Sequence, residues 1–116
     1  MSVQIIKGSV AFEPLESWGA VKTPLSEPAC ELRGTRRAIP GFDMVRTGVW
    51  ECSPGSYVRD VKEGEVMHIL SGECTFTPEG QEPIEISAGD TIFCPANTKG
   101  VWNMKSTVRK VFVILP

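Results

Sequence analysis

The chain contains a single histidine, His68, among its 116 residues. A metal centre built on three imidazoles is therefore excluded, and a divalent cation would need oxygen or sulfur donors. Four cysteines are present, Cys30, Cys52, Cys74 and Cys94, but no C-x-x-C pair. Their wide spacing argues against a local thiolate site, and disulfide frameworks belong to small secreted chains. Free, mostly buried thiols are expected. No apolar run approaches the length of a membrane span. The apolar run near the N-terminus is too short for the core of a signal peptide. A cytoplasmic location without a membrane partner is the expectation. An excess of positive charge is missing too: 12 Lys and Arg stand against 14 Asp and Glu, a net charge of −2. That composition gives no electrostatic reason to expect nucleic acid as a partner. The one basic cluster, "RGTRR" at 33–37, reads as a solvated loop.

The length fits one domain, 1–116, with its own core and no need of disulfides or structural metal. Residues 1–43 read as an N-terminal arm with early strands. Prolines at 14, 24, 28 and 40 argue against a long helix there. A strand near 3–6 and one other short strand are expected in it.

From residue 44 the texture changes. Short runs rich in Val, Ile, Phe, Trp and Thr alternate with Gly, Pro, Asn and Ser. The runs are "MVRTGVWEC", "SYVRDV", "EVMHIL", "ECTFTP", "PIEIS", "TIFCP", "GVWNM" and "VRKVFVIL". Their near-regular spacing predicts an all-β antiparallel sandwich or barrel over 44–116. "PIEIS" alternates apolar and charged residues, as a half-exposed strand does. "VFVIL" does not alternate, so both its faces should be covered, one of them by a second subunit.

Two stretches then carry a resemblance. "PGSYVRDVKEGEVMHILSG" (54–72) and "ISAGDTIFCPANTKGVWNM" (86–104) resemble the two cupin motifs, in order. The first supplies Glu65, His68, Ile69, Leu70 and Gly72. The second supplies Gly89, Asp90 and Pro95, with Asn97 in place of a final glycine. "GVWECSPG", "TKGVW" and "VRKVFVIL" make the chain similar to small single-domain members of the (S)-ureidoglycine aminohydrolase-type cupin family (DUF861 or Cupin_3). The resemblance implies a cupin jelly roll, a homodimer, and a barrel interior that carries the site.

Metal-binding cupins take two histidines and a glutamate from the first motif and a third histidine from the second. Counting back from Glu65, the paired positions hold Val58 and Asp60, or Arg59 and Val61 if the gap is one shorter. The second-motif position holds Gly100. No cofactor is specified by this set. A divalent metal would have Glu65 and Asp60 as its clearest ligands, with Cys52 or Cys94 as further donors, and such a site would be weak.

Strand alternation sorts the remaining residues. Glu65, Met67 and Ile69 share a face, inward in cupins, and His68 takes the other, as a packed or interface histidine. Trp102 should face inward beside Gly100. Trp50 shares parity with Cys52 and reads as core. Lys110 shares a face with Val108, Phe112 and Ile114, so it either snorkels at an edge or points into a polar pocket. If it faces Glu65 the two neutralise each other, with Lys99 and Arg59 as rival partners. Arg109 falls on the opposite face, at the surface or an interface.

These residues support a small-metabolite-binding cupin without a three-histidine metal site. Its pocket would be formed by Glu65, Asp60, Lys99, Trp102, Lys110 and Arg59, for a small polar metabolite such as a carboxylate, amide or amino compound. It would be a binding module, or an enzyme with Glu65 as catalytic acid or base, desolvation raising the pKa of that carboxyl. On this reading Glu65→Gln removes ligand binding or activity while the thermal midpoint holds or rises, and a variant that unfolds would mark Glu65 as a structural ion-pair member and count against the pocket. One alternative is a metal-dependent aminohydrolase-like enzyme with atypical ligands. The other is a structural or partner-binding cupin whose barrel is filled by its own side chains, with no cavity beside Glu65.

Overall fold

The computed structural model describes residues 3–116. Among the described residues ten antiparallel strands form two sheets that face each other as a jelly-roll sandwich. The strands are β1 (Glu16–Ala20), β2 (Glu31–Arg37), β3 (Arg46–Cys52), β4 (Gly55–Val61), β5 (Glu65–Ser71), β6 (Glu73–Pro78), β7 (Ile84–Ser87), β8 (Thr91–Cys94), β9 (Thr98–Met104) and β10 (Val108–Ile114). The larger sheet runs β1-β2-β3-β10-β5-β8 and the smaller β4-β9-β6-β7. Each of the eight runs read from the sequence after residue 44 is a strand. Alternation does the work: a side chain that faces the partner sheet must be apolar or paired, and its neighbours must not clash with water. β7 shows it at Ile86, which is buried between exposed Glu85 and Ser87, while Ile84, on the same face near the strand's start, is exposed.

The core lies between the sheets and includes Met67, Ile69, Phe76, Ile86, Trp102, Met104 and Val108. All four cysteines are free and buried in it. Burial pushes the thiols of Cys52, Cys74 and Cys94 up, Cys74 to about 11, so these three are not ready thiolates at neutral pH. Gly72 ends β5 with φ +92°, and a Cβ there would strike the backbone of Thr107 and Val108. Asn97, where a glycine was expected, holds φ 62°, a conformation that asparagine tolerates better than most residues.

The N-terminal part differs from its sequence reading. Residues 3–6 form no strand. They lie over the outer face of the larger sheet, where Val3, Ile5 and Ile6 border an apolar groove with Val49 and Val111. The chain's own arm therefore covers part of the outer face of "VFVIL". The strands of the arm are β1 and β2, which extend the larger sheet. "RGTRR" belongs to β2 and is no loop: Arg33 pairs with Glu51 and Glu13, and Arg36 stacks on Trp18 at 4.9 Å. Pairing with β3 overrides the local charge, because alternate arginines can reach carboxylates and aromatic faces on either side of the sheet. Thr23 and Leu25 bond the backbone of Val58 and Ser56, which protects the edge of β4. Among the described residues no helix is long and apolar enough to cross a membrane.

Arg109 sits on the outer face of β10, as parity placed it, yet it is only 3% exposed rather than at the surface. Residues 9–13 fold over it. It donates to Glu51 Oε2 through Nε and Nη2 (2.9 and 2.7 Å), and Nη1 donates to the carbonyls of Ser9 and Phe12, both at 3.0 Å.

Candidate functional site

Glu65 opens β5 and points between the sheets, with Met67 and Ile69 on the same face. It is 6% exposed. Two cations meet it. Arg59 Nη2 donates to Oε1 at 3.0 Å and Lys110 Nζ donates to Oε2 at 3.1 Å. Lys110 also contacts Met67 Sδ at 3.5 Å and lies over the Trp50 ring at 4.3 Å and the Trp102 ring at 5.9 Å. Arg59 anchors through Nη1 to the Thr98 carbonyl at 2.7 Å. Both cations are themselves buried, Arg59 at 4% and Lys110 at 7% exposure.

The cluster therefore holds two positive charges and one negative. Burial by itself would raise the Glu65 carboxyl. The Lys110 charge and the hydrogen bonds from Arg59 and Lys110 outweigh it and hold the carboxyl below its usual range. The expected upward shift is thus reversed, because the carboxylate is desolvated among cations rather than among apolar groups.

A cavity of about 500 Å³ opens over this cluster. Its lining includes Glu65, Arg59, Lys110, Trp50, Trp102 and Tyr57. Burial pushes the Tyr57 phenol up, so it stays a protonated donor. Lys22, Arg36, Arg46 and Asp60 border the cavity as well, which gives five basic and two acidic side chains around it. In a chain of net charge −2, that is a concentrated positive field.

The remaining sequence candidates fall elsewhere. Lys99 lies outside the cavity lining, half-exposed and 3.9 Å from Glu79. Alternation explains it: Gly100 and Thr98 flank Lys99 on β9, and its register partner Asp60 is exposed with it. Asp60 reaches the cavity only as a bordering residue, whereas Arg59 takes the buried position on β4. The shorter of the two counts back from Glu65 therefore describes the geometry. His68 faces out, exposed, with Nδ1 2.8 Å from Thr91 Oγ1. Trp50, Tyr57 and the three bordering cations Lys22, Arg36 and Arg46 were missed as site residues. Parity with Cys52 and Arg59 carried the signal for Trp50 and Tyr57. Nothing in the local sequence marked the other three.

A divalent cation does not fit these residues. Both Glu65 oxygens accept from cations, and like charge opposes a third. Among the described residues no three His, Cys, Asp or Glu side chains converge as a metal-binding group. Gly100, at the second-motif histidine position, has no room for a side chain. A Cβ there would meet the Thr77 carbonyl, the Pro78 backbone and the edge of Phe76, whose ring stacks 4.7 Å from Trp102. Gly100→His should therefore cost about 1–3 kcal/mol through overpacking and bind no stoichiometric metal. Thermal unfolding and elemental analysis of the variant check this, and a stable, metal-loaded variant would contradict it.

The family profile of the EutQ-like cupin domain matches residues 42–112. The chain belongs to that family. The match takes in Glu65, Arg59, Lys110 and both tryptophans at the cavity floor. The cupin is similar in structure to a protein of unknown function of the DUF861 family from Pseudomonas syringae pv. tomato, with 22% identity and a TM-score of 0.79. That likeness covers 89% of this chain and 45% of that one, so the chain spans less than half the length of the Pseudomonas protein. It is also similar to a EutQ protein from Clostridium difficile (17% identity, TM-score 0.67, 83% of this chain and 81% of that chain). A third likeness is to an ethanolamine utilization protein Q from Salmonella typhimurium (21% identity, TM-score 0.61, 76% and 70%). At these identities the likeness speaks to fold alone. No curated protein matches the sequence significantly.

Proposed function

We propose that this cupin binds a small metabolite through an anionic group, a carboxylate or a phosphate, seated over Arg59 and Lys110. The observation that carries this reading is the pair of buried cations on one buried carboxylate beneath an open cavity. A buried ion cluster adds little net stability compared with an apolar core. Here it leaves one positive charge uncompensated, facing the cavity. Arg59 uses two of its five N–H donors in hydrogen bonds to Thr98 and Glu65, which leaves donors for an incoming oxygen. Trp50 and Trp102 supply flat apolar walls.

Glu65 on this reading positions the two cations. Its lowered pKa makes it a poor proton carrier at neutral pH, so binding is the better supported role than acid–base catalysis. The cavity beside Glu65 also counts against a barrel filled by its own side chains.

The test is a titration with butyrate, hexanoate and inorganic phosphate, and with butyramide as the neutral control, at fixed ionic strength. Tryptophan fluorescence reports it, because Trp50 and Trp102 line the site. Saturable binding of at least one anion, none of butyramide, and loss of that binding in Lys110→Met are expected. Lys110→Met keeps the Arg59–Glu65 pair and puts an apolar chain between two indoles, so it should stay folded. Equal binding of the amide, or no response to any anion, defeats the proposal.

A further inference from the structure

We infer that the ligand is an elongated dianion whose second anionic group is held by Arg36 and Lys22 at the cavity's edge; this rests on the anion-binding reading above. The inner face of the larger sheet places the groups. Trp50 pairs with Gly34 on one side and Lys110 on the other, and Gly48 pairs with Arg36 and Phe112. Arg36 thus lies two strands across and two residues along from Lys110. With strands about 4.8 Å apart and about 3.4 Å per residue, the two Cα atoms are about 12 Å apart.

The surface between them is apolar and clear. Gly48, between Arg36 and Phe112, has no side chain. Gly34 is covered by the indole of Trp18. Trp18 meets Phe112 edge-on at 6.4 Å. A methylene chain therefore has Trp18, Phe112 and Trp50 to lie against.

The edge cations are not spent. Arg46 is committed to Glu63 at 2.6 Å. Among the described residues, Arg36 and Lys22 take part in none of the ion pairs. Arg36 is instead held over the Trp18 ring, 4.9 Å from its centroid, which positions the guanidinium while leaving its donors free for a carboxylate or phosphate. A dianion with adjacent charges is too short to use both ends of this cavity. One with a flexible chain of several methylenes, or a phosphorylated acid of similar length, can use both.

The experiment compares hexanoate, malonate and adipate by calorimetry on the full chain at fixed ionic strength. Adipate should bind at least tenfold more tightly than hexanoate, which has the same carbon count and one charge. Malonate should show no such gain. In the Arg36→Gln/Lys22→Gln double variant, adipate should fall to the level of hexanoate, with hexanoate changed less than twofold. Both residues are exposed, and thermal unfolding confirms that the variant is folded. Equal affinity of adipate and hexanoate, or a parallel loss of both in the double variant, overturns the second subsite while leaving the first anion site standing. No binding of hexanoate, malonate or adipate overturns the dianion reading, and if inorganic phosphate also gives no response it overturns both.

Discussion

Glu65→Gln is expected to destabilise the fold by about 3–5 kcal/mol, a fall of ~12 °C or more in the unfolding midpoint for a domain of this size. The side chain is nearly isosteric, so packing is not the cause. The carboxylate is the only acidic partner recorded for Arg59 and Lys110 among the described residues, and both are buried. Without it, two uncompensated cations face each other in a low-dielectric interior. The sequence suggested the opposite, an unchanged or raised midpoint, because a lone desolvated carboxylate is a liability that glutamine relieves. The structure reverses the sign, since Glu65 is not alone.

The same arrangement sets a pH dependence. The folded-state pKa of Glu65 lies below its unfolded value. Its contribution is therefore fully present above the usual carboxylate range and is lost as pH falls through the depressed folded value. Urea unfolding from neutral to acidic pH should show a steeper loss for wild type than for Glu65→Gln. Adding Lys110→Met to Glu65→Gln should recover part of the loss, since it removes one stranded charge. Matching midpoints and matching pH slopes for wild type and Glu65→Gln would show that the ion cluster is not coupled to folding. The anion titration with Lys110→Met stands apart from this outcome.

Arg109→Met is expected to cost about 2–4 kcal/mol and to release the arm. The guanidinium satisfies Glu51 and the carbonyls of Ser9 and Phe12 at once. Burial raises the Glu51 carboxyl, but hydrogen bonds from Arg33 and Arg109 outweigh it and leave the net shift downward. Losing Arg109 leaves that half-buried carboxylate on Arg33 alone. Lysine should not rescue it, because an ammonium cannot span the planar fork of contacts. Faster tryptic cleavage after the exposed Lys7, ahead of global unfolding, is the readout. An unchanged cleavage rate with an unchanged midpoint would show that the arm is held by other contacts.

Much of the barrel was legible before the structure. The eight strands after residue 44 were marked by β-branched and aromatic runs between Gly and Pro punctuation; alternation put Glu65 and His68 on opposite faces, and the resemblance to cupins made the Glu65 face the inner one. The N-terminal strands were not legible. β1 and β2 carry charged and glycine-rich stretches, "ESWGA" and "ELRGTRR", whose strand character comes from pairing, β2 with β3 and β1 with β2, rather than from local propensity.

The sequence alone determined that a three-histidine centre is absent, and that Glu65 shares a strand face with Met67 and Ile69 while His68 takes the other. Those are matters of count and of a two-residue period, which is local; the resemblance to cupins, not the period, said which face is inward. Only the tertiary structure decided that Arg59 and Lys110 converge on the two oxygens of Glu65, that Phe76 closes the space at Gly100, and that Arg36 and Trp18 border the same cavity. Lys110 and Glu65 are 45 positions apart. Their meeting depends on strand order and register, which no local pattern encodes. The direction of the Glu65 pKa follows from that meeting, since desolvation and nearby charge act in opposite directions and only the observed neighbours settle which prevails.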